Sequence, residues 1–185
     1  MTTLTALKTT INEAIENTNL EAKKLQGRKI QNSERAKVTA ACLAIAQQHH
    51  NSILVLLSNN SPLHATAFSL LRVFLEATIR GLWLAKIATD DQINLLKINS
   101  LEFPYFKTMF KELGEASNSK KNHQTINNAW SMLCSYTHTG EYQIQHWMNN
   151  LDIEPNYSED QILELIKQTQ NIANLTYAAI HSILD

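Results

Sequence analysis

Glycine and proline are scarce in this chain, four and three among 185 residues. An all-β fold needs frequent turns, and so few turn formers exclude one. Cysteine is nearly absent too. Cys42 and Cys134 each stand on an apolar stripe, which argues against a disulfide framework or a redox pair. No apolar run approaches the roughly 20 residues of a bilayer-spanning helix. The first ten residues lack the apolar segment of a signal peptide, so a cytoplasmic protein with no membrane partner is expected. Also missing are a glycine-rich phosphate loop, a Gly-x-Ser-x-Gly elbow, a His-Glu-x-x-His motif and the Glu-x-x-His pair of helical di-iron proteins. Neither a metal nor another cofactor is expected.

Charge is sparse: 18% of residues are charged and the net charge is −1. A dedicated DNA-binding domain is usually far more basic. The distribution is uneven, however. Lys23, Lys24, Arg28, Lys29, Arg35 and Lys37 fall close together, and either a weak anion-contact patch or a solvated helix end would account for them.

What is present is helical periodicity. Leu7, Ile11, Ala14, Ile15 and Leu25 recur at three- and four-residue steps, predicting a first helix from Thr3 to Leu25 that Gly27 ends. A second begins near Asn32 or Ser33, with Val38, Ala41, Cys42, Ile45, Ile53, Leu56 and Leu57 as its buried face. Ser61-Pro62 signals a restart, because proline at the first helical position sacrifices no hydrogen bond. Segments 34–58 and 62–87 are therefore expected to form a long central antiparallel hairpin. Thr89-Asp90-Asp91 caps a short helix, and Pro104 opens another that ends at Gly114. A mobile loop is expected over 115–122. A helix from His123 to Tyr136 follows, with Ile126, Trp130, Leu133 and Cys134 inward, and Gly140 interrupts it. Ser158 and Gln161 form a capping box for the last helix. The expected fold is all-α, a helical bundle in a single domain spanning 1–185.

Two stretches resist explanation as packing. The apolar third helix carries Arg72, Glu76 and Arg80 at i, i+4 and i+8, so all three share one face with the glutamate between two cations. A surface ladder is the plain reading. A shielded cluster is the sharper one, and losing Glu76 from it would cost about 3 kcal/mol. The second stretch is Ser135-Tyr136-Thr137-His138-Thr139-Gly140, in which hydrogen-bonding side chains end a helix before a glycine able to adopt a left-handed conformation. His138 is a candidate general acid or base, although the helix dipole alone also favours a histidine there. His64, near the hairpin turn, is a further polar candidate. His49 and His50 read as solvated.

The run Leu71-Arg72-x-x-x-Glu76-x-x-x-Arg80-Gly81-x-Trp83, followed by Trp130 and Ser135–Gly140, resembles an uncharacterised bacterial helical family that is itself similar to HEPN-type domains. The resemblance covers roughly residues 35–180. It implies a helical bundle, a homodimer, and a role in bacterial defence or a toxin–antitoxin pair, often as a metal-independent ribonuclease. The chain departs from the HEPN pattern in one respect: no arginine is followed by a histidine after four to six residues. Cleavage would therefore require His138 to meet Arg72 or Arg80 from another helix.

Three readings stay open. The protein cleaves or binds RNA, with His138 as acid or base, Arg72 or Arg80 as anion stabiliser and Glu76 orienting an arginine. Or it is a non-enzymatic partner of another protein, such as an immunity protein or antitoxin. Or it holds a small ligand among Trp83, Trp130, Tyr136 and Thr137.

Overall fold

A computed structural model describes residues 3–117, 123–148 and 153–185. Among the described residues there are eight helices and no strand. They are α1 (Thr3–Leu25), α2 (Glu34–Ser58), α3 (His64–Lys86), α4 (Asp90–Lys97), α5 (Phe106–Ala116), α6 (His123–Thr137), α7 (Glu141–Gln145) and α8 (Glu159–His181). The fold is an all-α bundle. Among the described residues no helix is long and apolar enough to cross a membrane.

Local chemistry sets most of the boundaries. Gly27, with φ +74, lets the chain leave α1 in a left-handed turn. The Ser33 side chain accepts from the Ala36 amide and starts α2. Thr89 and Gln92 form a reciprocal capping box on α4, as Ser158 and Gln161 do on α8. The third helix starts later than Ser61-Pro62 suggests, at His64. Leu63 holds the cap position without a side-chain bond, and its amide donates to Leu56 O at 3.1 Å to close the turn. The helix opened by Pro104 starts at Phe106 and continues past Gly114 to Ala116. Of the loop expected over 115–122, Glu115 and Ala116 are thus helical, Ser117 is a turn, and 118–122 lie outside the described residues. The Ile126 side chain lies outside them as well.

Helix α2 turns a different face inward from the one its larger side chains suggest. Ala36, Thr39, Leu43, Ala46, His50, Ile53, Leu54 and Leu57 are buried, whereas Ala41 and Ile45 are exposed. Its first half is rich in alanine and small residues on every side, so a stripe rotated by one position satisfies the same periodicity. The inner stripe lets α2 approach α3 closely: a methyl group at Gly81 would come within 2.6 Å of Leu43 Cδ2. Arg35 ties the start of α2 to the end of α3, donating to Leu84 O and Ala88 O at 2.7 Å each and to Asp90 Oδ1 at 2.7 Å. It thereby satisfies carbonyls that a helix terminus leaves open.

The core has two parts. One joins α1, α2, α3, α6 and α8 around Phe74, Ile53, Leu54 and Leu165. The other packs Trp83, Leu84, Ile93, Phe106 and Met109 under α4 and α5. The partly exposed face of α3 lies at their junction and carries Arg72, Glu76 and Arg80.

Candidate functional site

Two hydroxyl residues fix α6 against α3. Ser69 donates to Tyr136 O at 2.8 Å, and Thr137 donates to Ser69 O at 3.1 Å. This reciprocal pair sets the register that brings the next residue, His138, over α3. The chain then turns sharply. Thr139, not Gly140, takes the left-handed conformation, with φ +54 on a β-branched residue that disfavours it. Gly140 is needed for space instead: a Cβ there would meet Ser135 Oγ at 2.6 Å and Ser135 Cα at 3.0 Å. The same Ser135 Oγ accepts from the Tyr142 amide and holds the start of α7.

At the start of this turn the exposed His138 contacts Arg72. The Arg72 guanidinium donates from Nη1 to His138 Nε2 across 66 residues of sequence. An arginine has no acceptor, so in this geometry Nε2 offers its lone pair and carries no proton. The guanidinium also lies over Trp130, 4.9 Å from the ring centroid, and is thus held from two sides.

One and two turns along α3, Glu76 accepts from Arg80 Nη2 at 2.6 Å, and Arg80 lies over Phe103 at 5.0 Å. The pair is half-exposed, with side-chain accessibilities of 39% for Arg80 and 21% for Glu76. Glu76 therefore bonds Arg80, not Arg72, and the cluster is not sealed from water. The Nε atoms of Arg72 and Arg80 are shielded and have no hydrogen-bond partner among the described residues.

Arg72, Glu76, Arg80 and Trp130 form one wall of a groove of about 360 Å³. The segment Phe103–Lys107 completes the lining, with Phe106 stacked on Trp130 at 3.8 Å. Within it Tyr105 is 88% exposed and presents its ring to solvent. The groove thus combines three cations, one carboxylate and the exposed Tyr105 ring. Among the described residues no group of three or more His, Cys, Asp or Glu side chains converges as a metal site would require.

The other candidates from the sequence lie elsewhere. Trp83 is in the core, 2% exposed, and donates from Nε1 to Glu112 Oε2 at 2.6 Å. His64 leans on Tyr157 at 5.4 Å, and burial lowers its pKa. Tyr136 is buried with its hydroxyl on His146 Nε2 at 3.0 Å, and His146 donates from Nδ1 to Asn156 O at 2.9 Å. Burial, with Tyr157 and Tyr142 nearby, raises the Tyr136 pKa, so this phenol is not an activated nucleophile. Of the proposed binding residues, only Trp130 shares the groove with the arginines.

Tyr105 and Lys107 at the groove, Glu112 on Trp83, and His146 and Tyr157 beside Tyr136 and His64 were not legible in the sequence as site residues. None belongs to a local motif, and only the exposed aromatic next to Pro104 offered a signal.

The basic stretch near the N-terminus is largely engaged with its own chain. Lys24 pairs with Glu21 at 2.6 Å and Lys37 with Glu34 at 3.0 Å. Arg28 reaches Asp185 O at 3.0 Å, and Arg35 is the α2–α3 tie. The plainer reading of that stretch fits these contacts.

A family of unknown function, DUF6988, matches residues 43–184. The chain belongs to that family. No curated protein and no solved structure matches it. The stretch shared with DUF6988 contains the whole groove and the Arg72–His138 contact. It leaves out α1 and the first turns of α2, where the N-terminal bases stand.

Proposed function

We propose that this protein binds single-stranded RNA in the groove between α3, α6 and the Phe103–Lys107 segment, and cleaves it without a divalent metal. The contact between Arg72 and His138 carries the reading. It supplies, from α3 and from the turn that follows α6, the arginine–histidine combination that HEPN-type ribonucleases carry on one segment. An exposed ring beside cations, as Tyr105 is beside Arg72, Arg80 and Lys107, is a usual means of holding unstacked bases and their phosphates.

The chemistry follows from the two side chains. A phosphate entering the groove accepts from the Arg72 guanidinium and releases the Nε2 lone pair of His138. Nε2 then takes the proton of the 2′-hydroxyl, the O2′–P bond forms, and the P–O5′ bond breaks. The 5′ oxygen leaves with a proton from water, and the imidazolium returns its own to solvent. The products are a 2′,3′-cyclic phosphate and a 5′-hydroxyl. Arg72, with Arg80 beside it, offsets the charge that builds on the phosphoryl oxygens. A placed base of this kind supplies about 10²- to 10⁴-fold. Such an enzyme fits a role in bacterial defence or a toxin–antitoxin pair, and the resemblance to HEPN-type domains supports a homodimer. The outward side of α2, with Ile45 50% and Val55 65% exposed, offers apolar surface for the second copy.

A second reading, a non-enzymatic module that binds a partner protein, draws support from the exposed Tyr142, Ile144, Trp147 and Met148 around α7. The test between the two is RNA cleavage in excess EDTA by the parent protein and by His138→Ala. Cleavage by the parent, abolished in a His138→Ala protein of unchanged helicity, supports the enzyme. Cleavage that survives the substitution assigns the chemistry to other residues. Absence of cleavage by the parent, together with tight binding to a partner protein, moves the function to the second reading.

A further inference from the structure

In the RNA reading Glu76 orients an arginine, a role that engages only part of its carboxylate. A carboxylate repels phosphate, yet Glu76 stands in the groove wall between two arginines. Its Oε1 accepts from Arg80 Nη2, and Arg80 is in turn steadied by the Phe103 ring. A carboxylate offers about four acceptor positions, and this bond uses one. Arg80 and Glu76 together therefore present, side by side, a donor followed by two acceptors.

Resting on that reading, we infer that the Arg80–Glu76 pair selects a guanine base. The Watson–Crick edge of guanine runs acceptor, donor, donor: O6, N1–H and the N2 amino group. It complements a guanidinium N–H followed by two carboxylate oxygens. Adenine and cytosine set a ring-nitrogen acceptor beside their amino donor, so one carboxylate oxygen would face a lone pair. Uracil flanks its single N–H with two carbonyls. A single-stranded chain leaves this edge free to be read. The exposed Tyr105 ring in the same groove gives the base a face to stack on. Glu76 then acts as a specificity residue that touches the base, while Arg72 and His138 act on the phosphate.

The experiment measures binding of short fluorescein-labelled 2′-fluoro oligonucleotides, which lack the attacking hydroxyl, in EDTA. Three are compared: uridine only, alternating uridine and guanosine, and alternating uridine and inosine, which lacks the N2 amino group. The parent is expected to bind the guanosine oligonucleotide about tenfold more tightly than the uridine one, with inosine between them. Glu76→Gln keeps an acceptor for Arg80 but turns an amide donor toward the base. It is expected to bind the guanosine and uridine oligonucleotides equally, with circular dichroism like that of the parent. Equal affinity of the parent for all three overturns the guanine inference and leaves RNA binding standing. A guanine preference that persists in Glu76→Gln overturns the role of Glu76. No binding of any oligonucleotide by the parent overturns both this inference and the RNA reading.

Discussion

Arg72 donates to the unprotonated Nε2 of His138 while its guanidinium lies over Trp130, so one side chain joins α3 both to α6 and to the turn that follows it. Both contacts depend on the shape of the guanidinium as well as its charge. Arg72→Lys keeps the charge but loses the flat stacking face and the fork of donors. RNA cleavage is expected to fall by at least about tenfold. Trp130 emission should change as its cation neighbour moves, and single-turnover cleavage alongside tryptophan fluorescence checks both. A lysine variant as active as the parent would show that charge alone suffices.

The Arg80–Glu76 pair is an i,i+4 contact on a partly exposed face, screened by water and salt. Glu76→Ala should therefore lower stability by about 0.5–1 kcal/mol. That is well below the figure of about 3 kcal/mol expected from the sequence for a shielded cluster. Urea unfolding of parent and variant at low and high salt measures the difference, and high salt should shrink it. A loss near the larger value, insensitive to salt, would contradict the open groove.

The fold was legible wherever a local signal had one physical solution. The capping box of α8 could be read from Ser158 and Gln161, and the start of α4 from Thr89, because such caps satisfy their amides without help from the rest of the chain. The inner face of α2 was not, because alanines and other small residues on several sides give more than one acceptable stripe. Packing against Gly81 of α3 favours the one that includes Leu43. The shared face of Arg72, Glu76 and Arg80 follows from helical spacing, and their half-exposure does not. That depends on where the Phe103–Lys107 segment lies. The pairing of His138 with Arg72 is a tertiary contact set by Thr137, within the polar stretch legible in the sequence, and by Ser69, which has no sequence signature beyond its hydroxyl.

Deep between α3 and α8, Thr78 Oγ1 lies 2.9 Å from Thr176 Oγ1, and both residues are buried. Each hydroxyl also approaches a carbonyl of its own helix: Phe74 O at 3.0 Å for Thr78, and Ile172 O at 2.9 Å for Thr176. Two hydrogens thus serve three contacts, so the hydroxyls depend on each other. Each single substitution to valine should cost about 1–2 kcal/mol. The double variant Thr78→Val, Thr176→Val should cost less than their sum by about 0.5–1 kcal/mol, since neither oxygen then lacks its neighbour. A double-mutant cycle in urea reads this coupling directly, and strict additivity would mean the two hydroxyls do not interact.

His50 is the buried titratable group whose protonation the fold resists most clearly. It is 1% exposed, stacks on Phe74 at 5.3 Å, and accepts at Nε2 from the Gln170 amide at 3.3 Å. Burial lowers its pKa from 6.5 to about 4, because a charged imidazolium there would lose its water. Above pH 6.5 the ring is neutral in both folded and unfolded chains, and its stabilising effect is fully present. As pH falls from 6.5 toward 4 the unfolded chain binds a proton that the folded chain refuses, so stability declines across that window. The loss attributable to His50 approaches about 3 kcal/mol at the acid end. His64, also lowered by burial, titrates in the same direction, so the parent alone cannot isolate the effect. His50→Leu can: leucine suits the apolar surroundings, and the half-buried Gln170 can turn to solvent. Unfolding free energies of parent and His50→Leu across this pH range should differ in slope, with the variant markedly flatter. Parallel curves would place the acid sensitivity on other groups and leave His50 as a packing residue alone.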